Sequence, residues 1–490
     1  MKIIIVGGGM TGWITAFVMA TRHPDISFTV LDYRGVVPSI GVGEGTTGYF
    51  LNAVIKRPGK FTLKEFLKET KSTPKLGILF EDWDYEGHKY LSPIDSSVTK
   101  RLDYDYSTVF DYTQSLNNDE YIFGEKSSAL SNLRKKGLTP FYRNSEEMDY
   151  YDTALHLDNQ LTIEFLKKQS LKLDNVECLE TGVWKQPRNR KGITELITND
   201  GKKLSADLYL DCTGFKRILS QNVKWKSFEK ELFVNSVFTF EIEGDGNPDL
   251  VTKAKAEKHG WMWTIPTQER YGCGYLYSDK HISHEEATDY VRDNYYVGRF
   301  GKSFSFNPGK LVKSWNKNVV SLGLSYHFLE PLQATSIHLL LTQLDLMDEY
   351  YFSKSDDAKD IKKYNIHIDK VIDNYKDFVA LHYSGKRNDT SFWKKVSRKS
   401  HLSRFTKKII KACKRGLYNS DFDNILGSTG RELWHYTILG MNHLSLDECF
   451  QQLNKHDSIS DANNILIENN RRCNPEDFIT YQEFLDKLNS

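Results

Sequence analysis

The sequence predicts an α+β (mixed α/β) fold, in which a nucleotide-binding module with a mixed sheet precedes a mainly helical C-terminal module. Three observations predict it. The first 32 residues have the order strand, glycine turn, helix, strand; alternating apolar runs recur to about residue 324; and the last third has mostly helical spacing. We place the first, discontinuous module at residues 1–345, with an insertion at about 84–151, and the helical module at 346–490.

Composition excludes several classes of protein. The 490 residues carry 66 Lys and Arg against 65 Asp and Glu, so no net charge attracts nucleic acid or a membrane surface. No window approaches the ~18 apolar residues of a membrane helix, and the opening apolar run is too short for a signal peptide. The six cysteines form no CxxC pair and are typical of free thiols in a reducing compartment. We therefore expect a cytoplasmic protein without nucleic-acid or membrane partners, and leave a homo-oligomer open.

The first element is a strand–turn–helix–strand unit. Lys2–Val6 is a short β-branched run, Trp13–Arg22 has helical spacing, and Ser27–Leu31 is a second apolar run that ends in Asp32. The turn between the first strand and the helix has the pattern G-x-G-x-x-G, and its residues are Gly7, Gly8, Gly9, Met10, Thr11 and Gly12.

Each part of this turn has a physical role in binding a dinucleotide. Gly7 permits the tight turn, Gly9 lets backbone N–H groups approach a pyrophosphate, and Gly12 lets helix and strand pack closely. The helix N-terminus supplies partial positive charge, and Asp32 can accept hydrogen bonds from ribose hydroxyls. A Gly-rich turn alone is a weak signal, but strand, helix and acid are all in place, so the unit predicts a Rossmann-like dinucleotide site.

The downstream chain favours FAD over NAD. A strand ending in Asp211-Cys212-Thr213-Gly214 resembles the segment by which flavoproteins of the aromatic hydroxylase type return to FAD. The later run Asn318–Leu324 is similar to their segment beside the ribityl chain and flavin ring. Three contacts spread over more than 300 residues suit an extended FAD, whereas an NAD domain would complete its site within about 150 residues.

Five motifs narrow the family. Gly260–Pro266 reads G-W-M-W-T-I-P, a strand with Trp261 and Trp263 on one face, which composition alone would interpret as a core strand. The pattern W-x-W-x-I-P is nevertheless diagnostic of flavin-dependent halogenases, and the chain is identified as resembling the tryptophan halogenase family. The other matching stretches are residues 40–47 (IGVGEGTT), 154–167 (ALHLDNQLTIEFLK), 328–337 (FLEPLQATSI) and 389–393 (DTSFW).

The resemblance implies a definite chemistry. A separate flavin reductase supplies reduced FAD, which with O₂ and a bound halide yields hypohalous acid, and this oxidant passes through a tunnel to a lysine that aims the halogen at an electron-rich arene. It places Gly45, Leu324 and Ile337 beside FAD, and it makes Trp261 and Trp263 a partition between flavin and substrate. Two alternatives stay open: a flavin monooxygenase that hydroxylates an arene, and a degenerate flavin-binding protein without catalysis.

The resemblance also assigns the catalytic positions, Lys75 and Gln333. Lys75 matches the family's essential lysine, and its place after Pro74 at the buried end of a strand predicts a desolvated amine with a lowered pKa. Gln333 stands where the family has its catalytic glutamate. An amide cannot act as a base at neutral pH, although it can orient substrate or oxidant. The family also has a glutamate at the position of Glu330. We therefore do not expect Glu330 to replace the catalytic glutamate that is missing at Gln333.

The halide and substrate sites depart from the family as well. Family backbone donors for halide fall at Thr335 and Ser336, where Ser336 replaces the usual glycine; a reshaped pocket would favour bromide or iodide, which are easier to oxidise. Phe392 and Trp393 are assigned to the substrate side. The tyrosine pair that clamps free tryptophan has no match, and residues 84–151 are interpreted as an insertion over that side. We therefore expect an electron-rich indole, phenol or heteroarene as substrate.

Two further clusters have ordinary interpretations. His281 and His284 with Glu285 could face a metal ion from one helical turn, but a capped surface helix is favoured and no metal is expected. Residues 394–415 hold ten Lys and Arg and no acid, which we interpret as a solvated helical face balanced by the region Asp421–Asp423 rather than as a docking patch.

Overall fold

Two large sheets, several small ones and a set of helices make up the described part of the fold, which confirms the predicted mixed α/β class. Residues 40–42, 96–105, 119 and 423, on which parts of the motif, insertion and acidic-region predictions fall, lie outside the described residues. The computed structural model describes residues 1–33, 43–95, 106–118, 120–355, 359–416, 421, 431–455 and 459–490.

The first sheet has six strands and begins with the predicted nucleotide-binding unit. Its central strand Lys2–Val6 pairs in parallel with Ser27–Leu31 on one side and with Leu208–Asp211 on the other. All of these strands are rich in buried β-branched or leucine residues, as expected for a parallel sheet covered on both faces. In order across the sheet the strands are Trp315–Asn316, Val319–Ser321, Leu208–Asp211, Lys2–Val6, Ser27–Leu31 and Val176–Leu179.

The second sheet has seven strands, and all but one of its pairings are antiparallel. The exception is the parallel pair formed by Gly77–Glu81 and Val251–Glu257. The strand Lys89–Pro93, from the start of the predicted insertion, forms one edge, so the insertion is partly built into the main sheet. In order the strands are Arg299–Ser305, Ser236–Glu243, Arg270–Tyr277, Gly260–Pro266, Val251–Glu257, Gly77–Glu81 and Lys89–Pro93.

A small three-stranded sheet joins three of the segments that the sequence analysis singled out. Ala154–Leu157 is its middle strand and pairs antiparallel with Glu44–Gly45 and with Thr73–Lys75. It therefore brings Glu44–Gly45 and the predicted catalytic lysine to the two sides of one strand. The remaining short strands are Val183–Lys185, Leu196–Thr198, Lys203–Leu204, Arg188–Asn189, Gly192–Ile193, Trp225–Ser227, Gly309–Leu311, His327–Phe328, Leu138–Tyr142 and Phe478–Thr480.

Helices cover the sheets and dominate the C-terminal part. Thr335–Met347 continues across residue 345, where we expected the modules to divide, and that division stays a prediction. Among the described residues, no helix is both long and apolar enough to cross a bilayer. The α-helices are Met10–Arg22, Gly48–Phe50, Leu63–Thr70, Tyr106–Leu116, Ala129–Lys135, Asn159–Ser170, His284–Asn294, Thr335–Met347, Ile361–Leu381, Ser391–Val396, Arg404–Cys413, Arg431–Gly440, Leu446–Lys455, Ile459–Arg471 and Tyr481–Asn489.

Candidate active site

A cavity of about 550 Å³ runs past the three segments that the sequence assigned to a dinucleotide. Its volume lies within the range of ordinary ligand sites. The structure thus brings together residues that are more than 300 positions apart in the chain. The predicted site residues that line the cavity are Gly7, Gly8, Gly9, Met10, Thr11, Asp32, Gly45, Trp261, Trp263, Leu324, Gln333, Thr335, Ser336 and Ile337.

The glycine turn has the backbone geometry that a close approach to phosphate requires. Gly7 has a φ of +115°, which side chains rarely adopt. A Cβ on Gly8 would overlap the Asp32 carboxylate, and one on Gly12 would overlap the carbonyl oxygen of Gly7. A Cβ on Gly9 would meet no protein atom within 4 Å, so the space before the helix Met10–Arg22 is open to a ligand.

Asp32 lies beside the glycine turn and lines the cavity. Its side chain is buried at the end of the second strand, where the Lys167 amine lies 3.0 Å from Oδ2. The neighbouring Tyr33 also lines the cavity. A carboxylate held by a lysine beside a glycine turn can accept ribose hydroxyl groups while its own charge stays compensated.

Two later segments close the same cavity from the other side. Gly214, with a φ of +61°, follows the strand that ends in Asp211, and the Asp211 carboxylate accepts hydrogen bonds from the N–H and hydroxyl of Thr213. Gly323 has a φ of +53° and packs against Thr11, which belongs to the first turn. The open helix N-terminus, the ribose-facing acid and these two returning segments fit an extended FAD.

Lys75 lies just behind the cavity wall. It is 1% exposed, and its Nζ donates to the backbone carbonyl of Thr46 at 3.1 Å. Lys75 is not itself among the residues that line the cavity; the intervening wall is Gly45. A Cβ on Gly45 would stand 3.0 Å from that Nζ and 3.1 Å from the Cβ of Ala334, so only a glycine's thickness separates the amine from the 333–336 segment.

Burial controls the charge of this lysine. Because burial desolvates the amine and no carboxylate of the described residues offsets this, the pKa of Lys75 falls from 10.5 to about 7. The nearby His156 has a pKa well below 6.5 through burial and through the charge of Lys75. Its Nε2 lies 2.9 Å from Thr252 Oγ1. Near neutral pH the Lys75 amine can therefore be either charged or neutral. The lowered pKa of Lys75 agrees with the expectation from the sequence.

Gln333 is oriented by a histidine that sequence reasoning missed. Its amide nitrogen lies 3.0 Å from His382 Nε2, and His382 Nδ1 lies 3.0 Å from the carbonyl oxygen of Phe378. Since Nδ1 must donate to that carbonyl, Nε2 is the acceptor and the Gln333 amide is the donor. Burial lowers the pKa of His382 to about 4, so the imidazole is neutral.

The backbone at this point is strained. Gln333 and Ala334 have φ values of 66° and 54°, the left-handed region that favours glycine, although neither is glycine. Such conformations cost about 1–3 kcal/mol each and concentrate at functional sites. They direct the chain into the start of the helix Thr335–Met347. The N–H groups of Thr335 and Ser336 lie in the first turn and have no acceptor within that helix.

The two tryptophans of the W-x-W-x-I-P strand form part of the cavity wall. Their ring centroids are 6.1 Å apart. Trp261 Nε1 donates to Glu330 Oε2 at 2.9 Å, and the Tyr383 hydroxyl donates to the same oxygen at 2.6 Å. Trp261 is therefore fixed by a carboxyl that itself lines the cavity, a contact between residues 69 positions apart that no local pattern indicates.

Phe392 and Trp393 are not among the residues that line the cavity. Both are buried in the core, where Trp393 Nε1 donates to the carbonyl of Glu257 at 2.8 Å. Trp393 packs against Tyr383 and Trp83, with ring centroids 6.2 and 6.0 Å away. Trp393 thus packs against Tyr383, the side chain that donates to Glu330, and the role of Phe392 and Trp393 on the substrate side stays a prediction.

His281 and His284, which the sequence placed on one turn of a surface helix, are separated by the start of that helix. Ser283 caps His284–Asn294, accepting from the N–H of Glu286, so His281 lies outside the helix. His281 Nδ1 lies 2.9 Å from Ser391 Oγ, and His284 Nδ1 lies 3.0 Å from the Tyr277 hydroxyl. Within the part of the chain that the structure describes, no group of three or more His, Cys, Asp or Glu is arranged to hold a metal.

Comparison with known proteins gives one consistent result. A family model described as tryptophan halogenase matches residues 2–443. A tryptophan 6-halogenase of Streptomyces toxytricini is 28% identical over 432 residues, 80% of each chain. A tryptophan 7-halogenase of Lentzea aerocolonigenes is 26% identical over 426 residues, 80% of this chain and 78% of its own.

Solved structures share the fold over nearly the full length. A flavin-dependent halogenase from Xanthomonas campestris has a TM-score of 0.81 at 24% identity, covering 99% of this chain and 98% of its own. A tryptophan halogenase from Shewanella frigidimarina also has a TM-score of 0.81, at 22% identity and 99% and 97% coverage.

Proposed function

This chain belongs to the tryptophan halogenase family of flavin-dependent enzymes, and on that premise we propose that it halogenates an electron-rich aromatic substrate. One observation carries the proposal beyond family membership: the Lys75 amine is buried, has no carboxylate partner among the described residues, and stands directly behind Gly45 of the cavity wall. A buried lysine without a counter-ion costs stability, and ionisable groups whose pKa is shifted by burial concentrate at catalytic sites.

Three groups of residues would bind FAD, bind the halide and separate the arene from the flavin. The turn Gly7–Gly12, Asp32, Gly45, Leu324 and Ile337 would hold FAD, which in its reduced form supplies, with O₂, the oxidising equivalents that convert halide to hypohalous acid. The N–H groups of Thr335 and Ser336, at the start of the helix Thr335–Met347, would hold the halide. Trp261 and Trp263 would keep the arene away from the flavin side of the wall.

Lys75 acts on the oxidant in either protonation state. A neutral amine can take up halogen, and an ammonium can donate a hydrogen bond to hypohalous acid. The amide of Gln333 contributes orientation: its N–H is engaged by His382, which leaves its oxygen to accept a hydrogen bond.

The substrate is proposed to be an indole, phenol or other heteroarene rather than free tryptophan, although the curated relatives cited above are named for tryptophan. Ser336 in place of glycine supports a preference for bromide or iodide. A separate flavin reductase would supply reduced FAD, and a cytoplasmic setting would suit such a partner.

Product mass spectrometry tests this function. Purified protein receives FAD, a flavin reductase, NADH, O₂, each halide in turn and a panel of indoles and phenols. We expect a halogen-shifted product that Lys75→Ala loses and that Lys68→Ala, at an exposed lysine on the neighbouring helix, retains. Hydroxylated arene without halide dependence would instead support a monooxygenase, and hydrogen peroxide alone would support a non-catalytic flavin-binding protein.

A further inference from the structure

Three side chains form a chain of hydrogen bonds that ends at the cavity wall beside Lys75. Gly45 and Thr73 flank His156 across the small three-stranded sheet. His156 Nδ1 lies 3.3 Å from Thr73 Oγ1, and its Nε2 lies 2.9 Å from Thr252 Oγ1. Thr73 and His156 are fully buried, whereas Thr252 is 7% exposed and lines the cavity. The hydrogen bonds therefore connect the interior of the small sheet to the cavity wall.

One carbonyl group sets the direction of every hydrogen bond in this chain. The Thr73 hydroxyl donates to the carbonyl oxygen of Pro266 at 2.8 Å, and a carbonyl oxygen can only accept. Since that bond uses the one proton of the Thr73 hydroxyl, His156 Nδ1 must donate to Thr73 Oγ1. Burial and the charge of Lys75 hold the pKa of His156 well below 6.5, so the imidazole is neutral and its Nε2 accepts. The Thr252 hydroxyl is therefore the donor to Nε2.

Thr252 Oγ1 is consequently an acceptor at the cavity wall that has no further proton to donate. No described residue donates a hydrogen bond to this oxygen. A Cβ on Gly45 would stand 3.5 Å from it, 3.0 Å from Lys75 Nζ and 3.1 Å from the Cβ of Ala334. An acceptor oxygen, an amine and a methyl group therefore surround one point of the wall, at the place where Gly45 separates the cavity from the lysine.

Hypohalous acid has hydrogen-bonding groups that match this point. It carries one O–H donor, an oxygen that accepts, and an electrophilic halogen that must stay free to react. When its O–H donates to Thr252, its oxygen can accept from a Lys75 ammonium, or its halogen can meet the neutral Lys75 amine. Because the Thr252 hydroxyl is already committed to His156, Thr252 binds the hydrogen end of the acid and not its oxygen end.

We propose that Thr252 binds hypohalous acid on its way from the flavin side, accepting the O–H so that the halogen stays free for Lys75. His156 acts through Thr252 as a positioning residue, because it removes the alternative in which the threonine hydroxyl donates to the acid. This inference rests on the proposed halogenation. The hydrogen bond transfers no atom: the halogen–oxygen bond breaks only when the amine or the arene takes the halogen and hydroxide leaves.

Thr252→Val tests this role because it removes the oxygen and keeps a β-branched side chain in the strand. With reduced FAD, O₂, bromide, and phenol or indole, two products are measured: brominated arene in excess methionine, and free hypobromous acid by bromination of monochlorodimedone. We expect unchanged FAD binding and unchanged total oxidant. Brominated arene should fall about fivefold to tenfold, the scale of one lost hydrogen bond, while free hypobromous acid rises. Thr252→Ser, which keeps the hydroxyl, should retain the wild-type ratio.

Thr139→Val is the matched control. Thr139 is also a buried threonine in a strand, and its hydroxyl donates to the carbonyl oxygen of Ile479 at 3.0 Å, but it does not line the cavity. Its variant should keep the wild-type ratio of brominated arene to free hypobromous acid. An unchanged ratio in Thr252→Val would overturn the proposal. A parallel loss of both products would also overturn it, because Thr252 would then act in FAD binding or oxidant formation.

His156→Asn tests the direction of the hydrogen bonds separately. An asparagine amide can still donate to Thr73, but it leaves Thr252 without its acceptor. The released hydroxyl can then donate to the acid, so brominated arene should fall although Thr252 is present; a wild-type ratio would contradict the role of His156. Should Thr252→Val fold poorly, Thr252→Ala gives the same comparison with Thr252→Ser. Failure of the proposed halogenation is distinguishable, since the wild type would then give no brominated arene.

Discussion

Replacement of Lys75 with methionine should stabilise the folded protein while it abolishes halogenation. Methionine fills a similar volume without a charge. Burial has lowered the pKa of Lys75 from 10.5 to about 7, and each pKa unit corresponds to about 1.4 kcal/mol. The folded wild type must either bury an ammonium or give up its proton, and the unfolded chain does neither.

The free energy of unfolding of the wild type should increase with pH. Between about pH 7 and pH 10.5 the unfolded state binds a proton that the folded state lacks, so the wild type gains stability as pH rises. The advantage of Lys75→Met should therefore be largest below pH 7, with an upper limit of about 5 kcal/mol, and should shrink towards pH 10.

Urea unfolding of both proteins at pH 6 and pH 9, without FAD, measures this difference. Lys68→Met, at an exposed lysine, is the control and should show no pH-dependent difference from the wild type. If Lys75→Met were less stable than the wild type at pH 6, or if its advantage were the same at both pH values, the lysine would not be a desolvated amine and the argument for its chemistry would fail.

Three further predictions concern the cavity wall. Asp32→Asn should weaken FAD binding by about tenfold or more, measured by quenching of flavin fluorescence, because ribose loses a charged acceptor. Gln333→Glu puts a carboxylate against the His382 lone pair and should lower the free energy of unfolding at pH 8 by about 1–3 kcal/mol; an unchanged halogenation rate would show that residue 333 is not limiting. Trp261→Phe removes a donor that lowers the pKa of Glu330 and opens the wall between flavin and substrate, so more hypohalous acid should escape from the protein, measured by bromination of monochlorodimedone in solution.

Local signals in the sequence predicted the nucleotide-binding unit well. The glycine turn, the acid after the second strand and the two returning glycines each depend on backbone conformation or on a short run of apolar residues. Those properties are set within a few residues, so the pattern alone indicates them. The lowered pKa of Lys75 was also predictable, since a lysine at the end of a buried strand has little room for water.

Contacts across the fold were not predictable in the same way. His382 meets Gln333 and Tyr383 meets Glu330 only because a turn after the long helix Ile361–Leu381 packs on the 328–335 segment. No periodicity links those positions. The burial of Phe392 and Trp393, and the packing of Trp393 on Tyr383, likewise depend on the tertiary fold, and the substrate role of both residues stays a prediction.

The central claim is that Lys75 delivers the oxidant to an arene inside the protein. Its most direct test is the yield of brominated arene from reduced FAD, O₂ and bromide in the presence of excess methionine, whose thioether consumes free hypobromous acid. We expect that the wild type still brominates one ring position and that Lys75→Ala gives no product. Equal yields from both proteins, or a wild-type yield abolished by methionine, would contradict it.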